Sequence, residues 1–259
     1  MRRCLKCGHR RAWRLADGRF KCQGCRVRFS WTSVWDSIRL EPRAKRQLLQ
    51  LFSLGVPSYR QRFRSAVSAK ARERFYRLAR AVCAYVEQLR EPFEGALECD
   101  ETTFGGARHG KRGWGAAGKI IVFGIVKRNG EVKAMPIQAH SGAAVWQEII
   151  EHTKPGSLYY TDDWQAYASL RTRGEHVVIR KERGRPKGRD TINGIEGFWS
   201  YAKNWLYPYR GVPTKYFHLY LGELCFRFNH RERDMQREIL HLMRSLSIQE
   251  LTPTLVRKG

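Results

Sequence analysis

This sequence predicts a mixed α/β core that follows a small cysteine-rich module, and three observations support the prediction. Two Cys-x2-Cys pairs lie near the start of the 259-residue chain. Between residues 40 and 92, apolar positions recur at helical spacing. From residue 96 onward, apolar runs of strand length alternate with helical segments, which is typical of a sheet covered by helices.

The charge balance favours a polyanionic partner. The chain has 49 Lys and Arg against 24 Asp and Glu, a formal net charge of +25, and a nucleic acid is the natural counter-charge. No apolar run approaches the roughly 18 residues of a membrane span, and the N-terminus lacks the apolar segment of a signal peptide. We therefore expect a cytoplasmic protein with no membrane partner, in which disulfides are rare.

The first 25 residues contain four cysteines at zinc-ribbon spacing: Cys4, Cys7, Cys22 and Cys25. Two such knuckles supply four thiolates for a tetrahedral Zn²⁺, and Asp17-Gly18 between them predicts a hairpin turn. Because four thiolates leave no open coordination position, we expect structural zinc in a domain of residues 1–35. The arginines of this domain favour DNA contact, and a basic protein-contact module is the alternative.

A helical segment is predicted at residues 40–92. Gly55 and Pro57 interrupt the apolar pattern, so the segment should contain at least two helices. Its many arginines favour DNA binding, and whether it forms a helix-turn-helix stays open. The remaining cysteines lie in apolar patterns and are predicted to be core residues: Cys83, Cys99 and Cys225.

Residues 96–207 are predicted to form the catalytic core, followed by C-terminal helices in residues 208–259. Asn129-Gly130 predicts a tight hairpin, and Ser141 predicts a helix N-cap. The predicted strands are 96–104, 119–128, 131–138, 157–162 and 175–180, and the predicted helices are 142–152, 163–173 and 191–207. This order indicates a ribonuclease H-like fold: a mixed sheet, antiparallel in its first three strands, with helices on both faces.

Three acidic residues fall where that fold places its chemistry. Asp100 lies in the middle of an apolar strand, Asp162 directly follows another, and Glu196 lies on the last core helix. A buried carboxylate is costly unless it is paired or binds a metal, and carboxylates brought together repel each other until cations neutralise them. We therefore predict that the three acids hold Mg²⁺ or Mn²⁺ for phosphoryl transfer to water or to a 3′-hydroxyl.

Neighbouring acids compete for these roles. Glu98 shares the strand face of Asp100, whereas Glu101 lies on the other face. Asp163 is interpreted as the N-cap of the helix that follows it. Asn193 precedes Glu196 by three residues on one helical face, so it is expected beside the metal ligands or among them, while a surface position for Glu196 is the alternative.

Three segments give a specific resemblance. ECDETTFGG, YYTDDWQAY and INGIEGFWSYAK resemble the signature blocks of bacterial insertion-sequence DDE transposases of the ISXO-like group, which begin with a zinc ribbon. FRFNHR at 226–231 resembles the block that follows the third acid, so the block order matches from the ribbon to about residue 231. Thr191-Ile192 stand where the family typically has a His, a departure that leaves the acid itself unaffected.

The resemblance implies an enzyme that cleaves the ends of a mobile element and joins the 3′-hydroxyls to target DNA, with Asp100, Asp162 and Glu196 as its catalytic carboxylates. It implies double-stranded DNA as the partner, a nucleoid-associated location, and at least a homodimer, because two ends must be paired. A non-catalytic DNA-binding regulator and a purely hydrolytic DNA nuclease are the alternatives.

Basic residues beside the predicted site should contact phosphates. The predicted DNA-binding residues are Arg183, Arg185, Lys187 and Arg189 in a loop and Lys203 on the catalytic helix. Trp199 and Trp205 lie on that helix, and we expect them in the core rather than stacked on bases.

Overall fold

The computed structural model describes residues 4, 6–63, 65–105, 119–128, 130–180 and 191–256. The chain divides into two compact units, one formed by Met1–Val86 with His230–Lys258 and the other by Glu87–Asn229. Within the described ranges, every helix is too short or too polar to cross a membrane.

The first unit begins with a three-stranded antiparallel sheet. Its strands, in spatial order, are β1 (Ala12–Arg14), β2 (Phe20–Cys22) and β3 (Arg28–Phe29). The hairpin predicted at Asp17-Gly18 is confirmed, since Gly18 has a φ of +79° and the Leu15 amide donates to the Arg19 carbonyl at 2.8 Å. The β3 strand was not predicted, because two residues carry no readable alternation.

The other regular elements described in the first unit are helices. The break predicted at Gly55 and Pro57 is confirmed: Gly55 has a φ of +73°, and Pro57 caps a 3-10 turn, Ser58–Gln61. The helices are α1 (Val34–Ser37), α2 (Pro42–Ser53), α3 (Ala69–Gln88), α7 (Met235–Ser245) and α8 (Ile248–Val256).

The second unit contains a five-stranded mixed sheet. Its strands are β4 (Ala96–Phe104), β5 (Ile120–Lys127), β6 (Glu131–Ile137), β7 (Leu158–Thr161) and β8 (Glu175–Val178). The order across the sheet is β6-β5-β4-β7-β8, with the first three strands antiparallel and the last two parallel to β4. This topology confirms the ribonuclease H-like prediction.

Helices cover both faces of this sheet. On one face, α4 (Gly142–His152) and a 3-10 helix (Gln165–Thr172) pack on apolar side chains of the central strands. On the other, α5 (Asn193–Leu206) and α6 (Phe217–Asn229) cover a second apolar cluster. The helix predicted at 163–173 is a 3-10 helix in the structure. The predicted N-cap of α4 is confirmed, because the Ala144 amide donates to Ser141 Oγ at 3.3 Å.

Gly174 lies where β8 enters the sheet beside the start of β7. A Cβ atom at this position would fall far inside van der Waals contact of the Ser157 carbonyl oxygen, which is backbone and cannot rotate away. Gly197, inside α5, has no atom within 4 Å of the place where its Cβ would lie.

We predict that Gly174→Ala destabilises the second unit by about 1–3 kcal/mol, because the two strand starts must move apart. Gly197→Ala is the matched control and should leave stability unchanged or raise it by up to about 1 kcal/mol, since alanine favours a helix interior. Urea unfolding of both variants measures the difference. Equal stability of the two variants would contradict the prediction.

Candidate active site and metal centre

Strand β4 carries three carboxyl groups into the sheet, and alternation divides them between its faces. Glu98 and Asp100 face α5, whereas Glu101 faces the 3-10 helix, where the Tyr167 hydroxyl donates to its carboxylate. Glu98 and Glu101 are buried, and Asp100 is half-buried. The sequence-based assignment of these faces is therefore confirmed.

Asp162 lies at the end of the strand beside Asp100. In the parallel pair, the last aligned residues are Glu98 and Tyr160, and Asp162 follows Tyr160 by two residues, as Asp100 follows Glu98. Adjacent strands lie about 4.7–4.9 Å apart. Asp162 Oδ1 accepts the Trp164 amide at 3.1 Å, which turns the chain out of the strand.

The interpretation of Asp163 as a helix N-cap is wrong. The 3-10 helix after it has Trp164 as its N-cap, with no side-chain hydrogen bond, and it is Asp162 that accepts the Trp164 amide. Asp163 is largely exposed and lies 3.6 Å from Arg180. An Asx-type turn at the strand end uses the first acid of the pair, which sequence spacing alone did not distinguish.

Negative charge concentrates where β4 and β7 meet. Burial is the main cause that raises the pKa of Glu101 to about 8; the charges of Asp100 and Asp162 also raise this pKa, and the Tyr167 hydroxyl lowers it. Carboxylate oxygens grouped in this way suit a hard divalent cation such as Mg²⁺.

A hydrogen bond ties α5 to Asp100. The indole Nε1 of Trp199 donates to Asp100 Oδ2 at 3.0 Å, and the Trp199 ring is 4% exposed. The prediction that Trp199 is a core residue is confirmed, but the sequence did not predict its polar contact. Glu196 is exposed in the first turn of α5, one helical turn before Trp199, and Asn193 is exposed at the start of the helix.

Gly124 makes this contact possible. It pairs with Asp100 across β4 and β5, and a Cβ there would lie 2.6 Å from the Trp199 ring and 2.8 Å from Ile195. Only a residue without a side chain lets the indole lie against the sheet. A glycine inside a strand often marks a close approach of another group. The sequence could therefore have predicted a close contact at Gly124, but it could not have identified Trp199 as the contacting residue.

Glu98 anchors the start of α5. Its Oε2 accepts the Ile195 amide at 3.0 Å, and its Oε1 accepts from Arg128 Nε at 3.2 Å. Arg128 also donates to the Thr191 carbonyl at 2.7 Å and lies 3.5 Å from the centre of the Tyr160 ring. A carboxylate at a helix N-terminus is favourable, so Glu98 has a fixed structural partner on each side.

Among the described residues, the ligand oxygens of Asp100, Asp162 and Glu196 do not form a set lying within 4.8 Å of one another. Strand β7, which ends just before Asp162, pairs with the strand of Asp100, and Trp199 brings the helix of the third acid against that strand. On α4, Glu148, Glu151 and His152 do form such a set, with Glu148 and His152 3.3 Å apart.

The four N-terminal cysteines converge in the first unit. Their sulfur atoms all lie within 4.8 Å of one another, with Cys4 and Cys25 3.6 Å apart and Cys7 and Cys22 3.5 Å apart. Four thiolates at about 2.3 Å from a tetrahedral Zn²⁺ would be about 3.8 Å apart. The backbone amide of His9 is the main cause that lowers the Cys7 pKa to about 6, which favours a thiolate. The cluster fits a structural zinc ion.

The predicted DNA-contacting residues are only partly described. Arg183, Arg185, Lys187 and Arg189 lie outside the described residues. Lys203 is exposed in the last turn of α5 and lines a cavity of about 610 Å³. The prediction that the other three cysteines are core residues is confirmed, since all of them are buried: Cys83, Cys99 and Cys225. Trp205 is half-buried against the α5 core, with Arg227 4.5 Å from its ring centre.

The fold and the acids define a class: a ribonuclease H-like core with carboxylates on its central strands and last helix. Residues 92–229 match the ISXO2-like transposase domain, and the chain belongs to that family. It is also 38% identical over 93 residues to a transposase-like protein of Haemophilus influenzae, an alignment that covers 36% of this chain and 76% of that protein.

A structural comparison gives a weaker likeness. A chain in the cryo-electron microscopy structure of a simian T-cell lymphotropic virus intasome bound to the PP2A regulatory subunit B56 gamma aligns with a TM-score of 0.33 and 12% identity. The alignment covers 70% of this chain and 65% of that chain.

We predict that full-length protein binds one Zn²⁺ per chain and that Cys22→Ser, at a buried ligand position, loses it together with the fold of the ribbon. A module of this size buries too little apolar surface to fold without its metal. Elemental analysis measures the zinc, and limited proteolysis measures the fold of residues 4–30. Cys83→Ala is the matched control and should retain zinc. A ribbon that stays protease-resistant after chelation would contradict the prediction.

We predict that Trp199→Phe lowers stability by about 1.5 kcal/mol or more, because it keeps a ring in the core but removes the donor to a carboxylate. In a double-mutant cycle with Asp100→Ala, the two losses should be non-additive, since both variants break the same bond. Trp205→Phe on the same helix is the matched control and should show additivity with Asp100→Ala. Urea unfolding of all five variants tests this, and additivity at Trp199 would rule out the bond.

Proposed function

We propose that this chain cleaves DNA at the ends of a mobile element and joins the freed 3′-hydroxyls to target DNA. Asp100, Asp162 and Glu196 would hold the divalent cations, Mg²⁺ or Mn²⁺, that this reaction needs. Membership of the transposase family supports a role in the processing of DNA. The observation that supports the mechanism is the arrangement of three elements: β7, which ends just before Asp162, pairs in parallel with the strand of Asp100, and the Trp199 indole holds the helix of Glu196 against that strand.

When bound, the cations would activate the attacking oxygen and stabilise the leaving oxygen of a phosphodiester. The residues of the chain prepare the place for them. Trp199 occupies one oxygen of Asp100 and so fixes the orientation of that carboxylate. Glu98 holds the start of α5 and is already paired with Arg128, which leaves it unsuited to the role of Asp100.

Glu101 lies on the face of β4 opposite Asp100, where the Tyr167 hydroxyl donates to its carboxyl group. Its burial on that face leaves it unsuited to the role of Asp100.

DNA binding is supported by charge. The net charge of +25 attracts a polyanion, and the first unit exposes basic side chains on the ribbon, among them Arg10, Arg11, Arg14 and Arg19. The other proposed phosphate contacts are Lys203, Arg183, Arg185, Lys187 and Arg189, whereas Asn193 is proposed to support the metal ligands. Zinc would stabilise the ribbon. At least a dimer would pair the two ends of the mobile element, and this would take place at the bacterial nucleoid.

One observation favours a second candidate, a non-catalytic DNA-binding regulator. In the described part of the chain, the three acids are not drawn into a single cluster within 4.8 Å. A regulator of this kind would bind DNA through the same basic surfaces and would not respond to loss of the acids.

The DNA that flanks the gene on both sides supplies the test substrate. We predict excision of a marker placed between these flanks, and joined products in a target plasmid, when Mg²⁺ is present. Asp100→Asn, Asp162→Asn and Glu196→Gln should each lower both products by at least about 100-fold. Each variant removes a charged ligand from a catalytic cation, and such a cation stabilises the transition state by several kcal/mol.

Two acids outside the proposed site provide matched controls. Asp163→Asn and Glu148→Gln each remove one partly exposed carboxylate and should retain activity. Cleavage without joining would identify a nuclease. DNA binding with no cleavage by the folded wild-type chain would favour the regulator and refute the catalytic proposal.

A further inference from the structure

A cavity of about 610 Å³ opens in the second unit beyond the end of β4. It lies between the end of that strand, the start of β5, the last turn of α5 and the segment that leads to α6. The residues that line it are Thr103, Phe104, Gly105, Lys119, Ile120, Lys203, Leu206, Tyr207, Arg210, Gly211, Val212, Thr214 and Phe217. Its volume is that of a small-ligand site.

The inner wall of the cavity is apolar and continuous with the core. The rings of Phe104 and Phe217 lie 5.4 Å apart and are 7% and 4% exposed, and half-buried Ile120, Leu206 and Val212 extend the wall. A ligand with a flat apolar face could therefore displace water from this wall without disturbing the packing behind it.

The rim is positively charged. Lys119, Lys203 and Arg210 line the cavity, and within the described part of the chain no Asp or Glu lines it and none pairs with these three side chains. Because none of the described carboxylates neutralises these three cations, they are available to an anionic ligand. The combination of an apolar wall and a cationic rim matches a base with its flanking phosphates.

A strained residue presents one of these cations. Arg210 has a φ of +56°, in the left-handed region that side chains other than Gly, Asn and Asp rarely adopt, and Gly211 follows with a φ of +118°. The Arg210 guanidinium lies 5.2 Å from the centre of the Tyr207 ring, which is 70% exposed. Strain kept at an arginine, next to an exposed aromatic ring, indicates a binding role for the pair.

The cavity lies close to the proposed acids along two elements. Phe104 follows Asp100 by four strand residues, about 13 Å, and Lys203 follows Glu196 by two helical turns, about 10 Å. These distances correspond to three or four base steps of about 3.4 Å. A DNA strand whose phosphate lies at the acids would thus reach the cavity within a few nucleotides.

We infer that this cavity binds one unpaired nucleotide of the DNA strand that passes the acids. The base stacks against Tyr207 on the face that Arg210 does not cover and against the apolar wall, while Lys119 and Lys203 hold the neighbouring phosphates. The inference rests on the proposed function for its DNA substrate and adds a site for a base that has left the duplex.

Fluorescence anisotropy of the full chain, without divalent metal, measures the binding of single-stranded oligothymidylate and of a fully paired duplex. Tyr207→Ala and Arg210→Gly should weaken single-strand binding about five-fold or more, since stacking on an aromatic ring contributes that much per base. In both variants the affinity for the duplex should change less than two-fold. Lys215→Ala is the matched control, because it removes a cation that stacks on Tyr216 outside the cavity. Its affinities for the single strand and for the duplex should each change less than two-fold. Tyr207→Trp should restore single-strand binding.

Folding is controlled by the variants themselves. Arg210→Gly relieves the backbone strain, so a loss of binding without a loss of thermal stability cannot come from unfolding. A 2-aminopurine placed within the oligothymidylate should lose fluorescence on binding to wild type, and this quenching should be absent in Tyr207→Ala.

Three results would each overturn the inference: equal single-strand affinity in Tyr207→Ala and Lys215→Ala, equal weakening of single-strand and duplex binding, or competition by polyglutamate as strong as by the oligonucleotide. Binding is measured without divalent metal, so the result does not depend on cleavage. A chain that fails to cleave DNA but shows the selective loss would refute the proposed function and leave the cavity assignment standing.

Discussion

Three carboxyl groups within four residues of one central strand, two of them buried and one half-buried, constrain the rest of the second unit. An unpaired buried carboxylate is among the most costly groups that a fold can contain, so each of the three must be matched by a partner or by a proton. Glu98 is matched by Arg128 and by the N-terminus of α5, Asp100 by the Trp199 indole, and Glu101 by a proton and the Tyr167 hydroxyl.

These three solutions also position the neighbouring elements. The contacts of Glu98 and Asp100 lie four residues apart on α5, at Ile195 and Trp199, so together they set both the position of that helix along the strand and its rotation. Glu196 lies between the two contacts. The placement of the third acid is therefore a consequence of how the first strand satisfies its own carboxylates. Gly124 and Gly194 are the points where the backbone gives way to this fit, since a Cβ at either would meet Trp199 or Glu98.

Local signals in the sequence predicted the elements but not their contacts. The β4 strand, the hairpin β5–β6, the Ser141 cap and α5 each follow from alternation, turn chemistry or helical spacing within a few residues. The Trp199 bond to Asp100 spans 99 positions, and no local pattern encodes which indole meets which carboxylate. The role of Asp163 was predicted wrongly for a related reason: two adjacent acids fit the cap signal equally well, and the end of β7 decides between them.

The cysteine cluster was predictable because its ligands are close in the chain and of one chemical type, whereas the candidate active site draws its acids from three distant elements.

The chain carries a positive net charge, whereas its candidate site carries negative carboxylates, and these two charges act at different places along the approach of DNA. A net charge of +25 acts over about the 8–10 Å of the screening length, so it draws DNA toward the surface of the protein. At the acids, the local field is negative and would repel the phosphate that the overall charge attracts. Divalent cations between the acids and the phosphate would reverse this repulsion. A site that repels its substrate until cations occupy it would therefore couple productive DNA binding to metal binding.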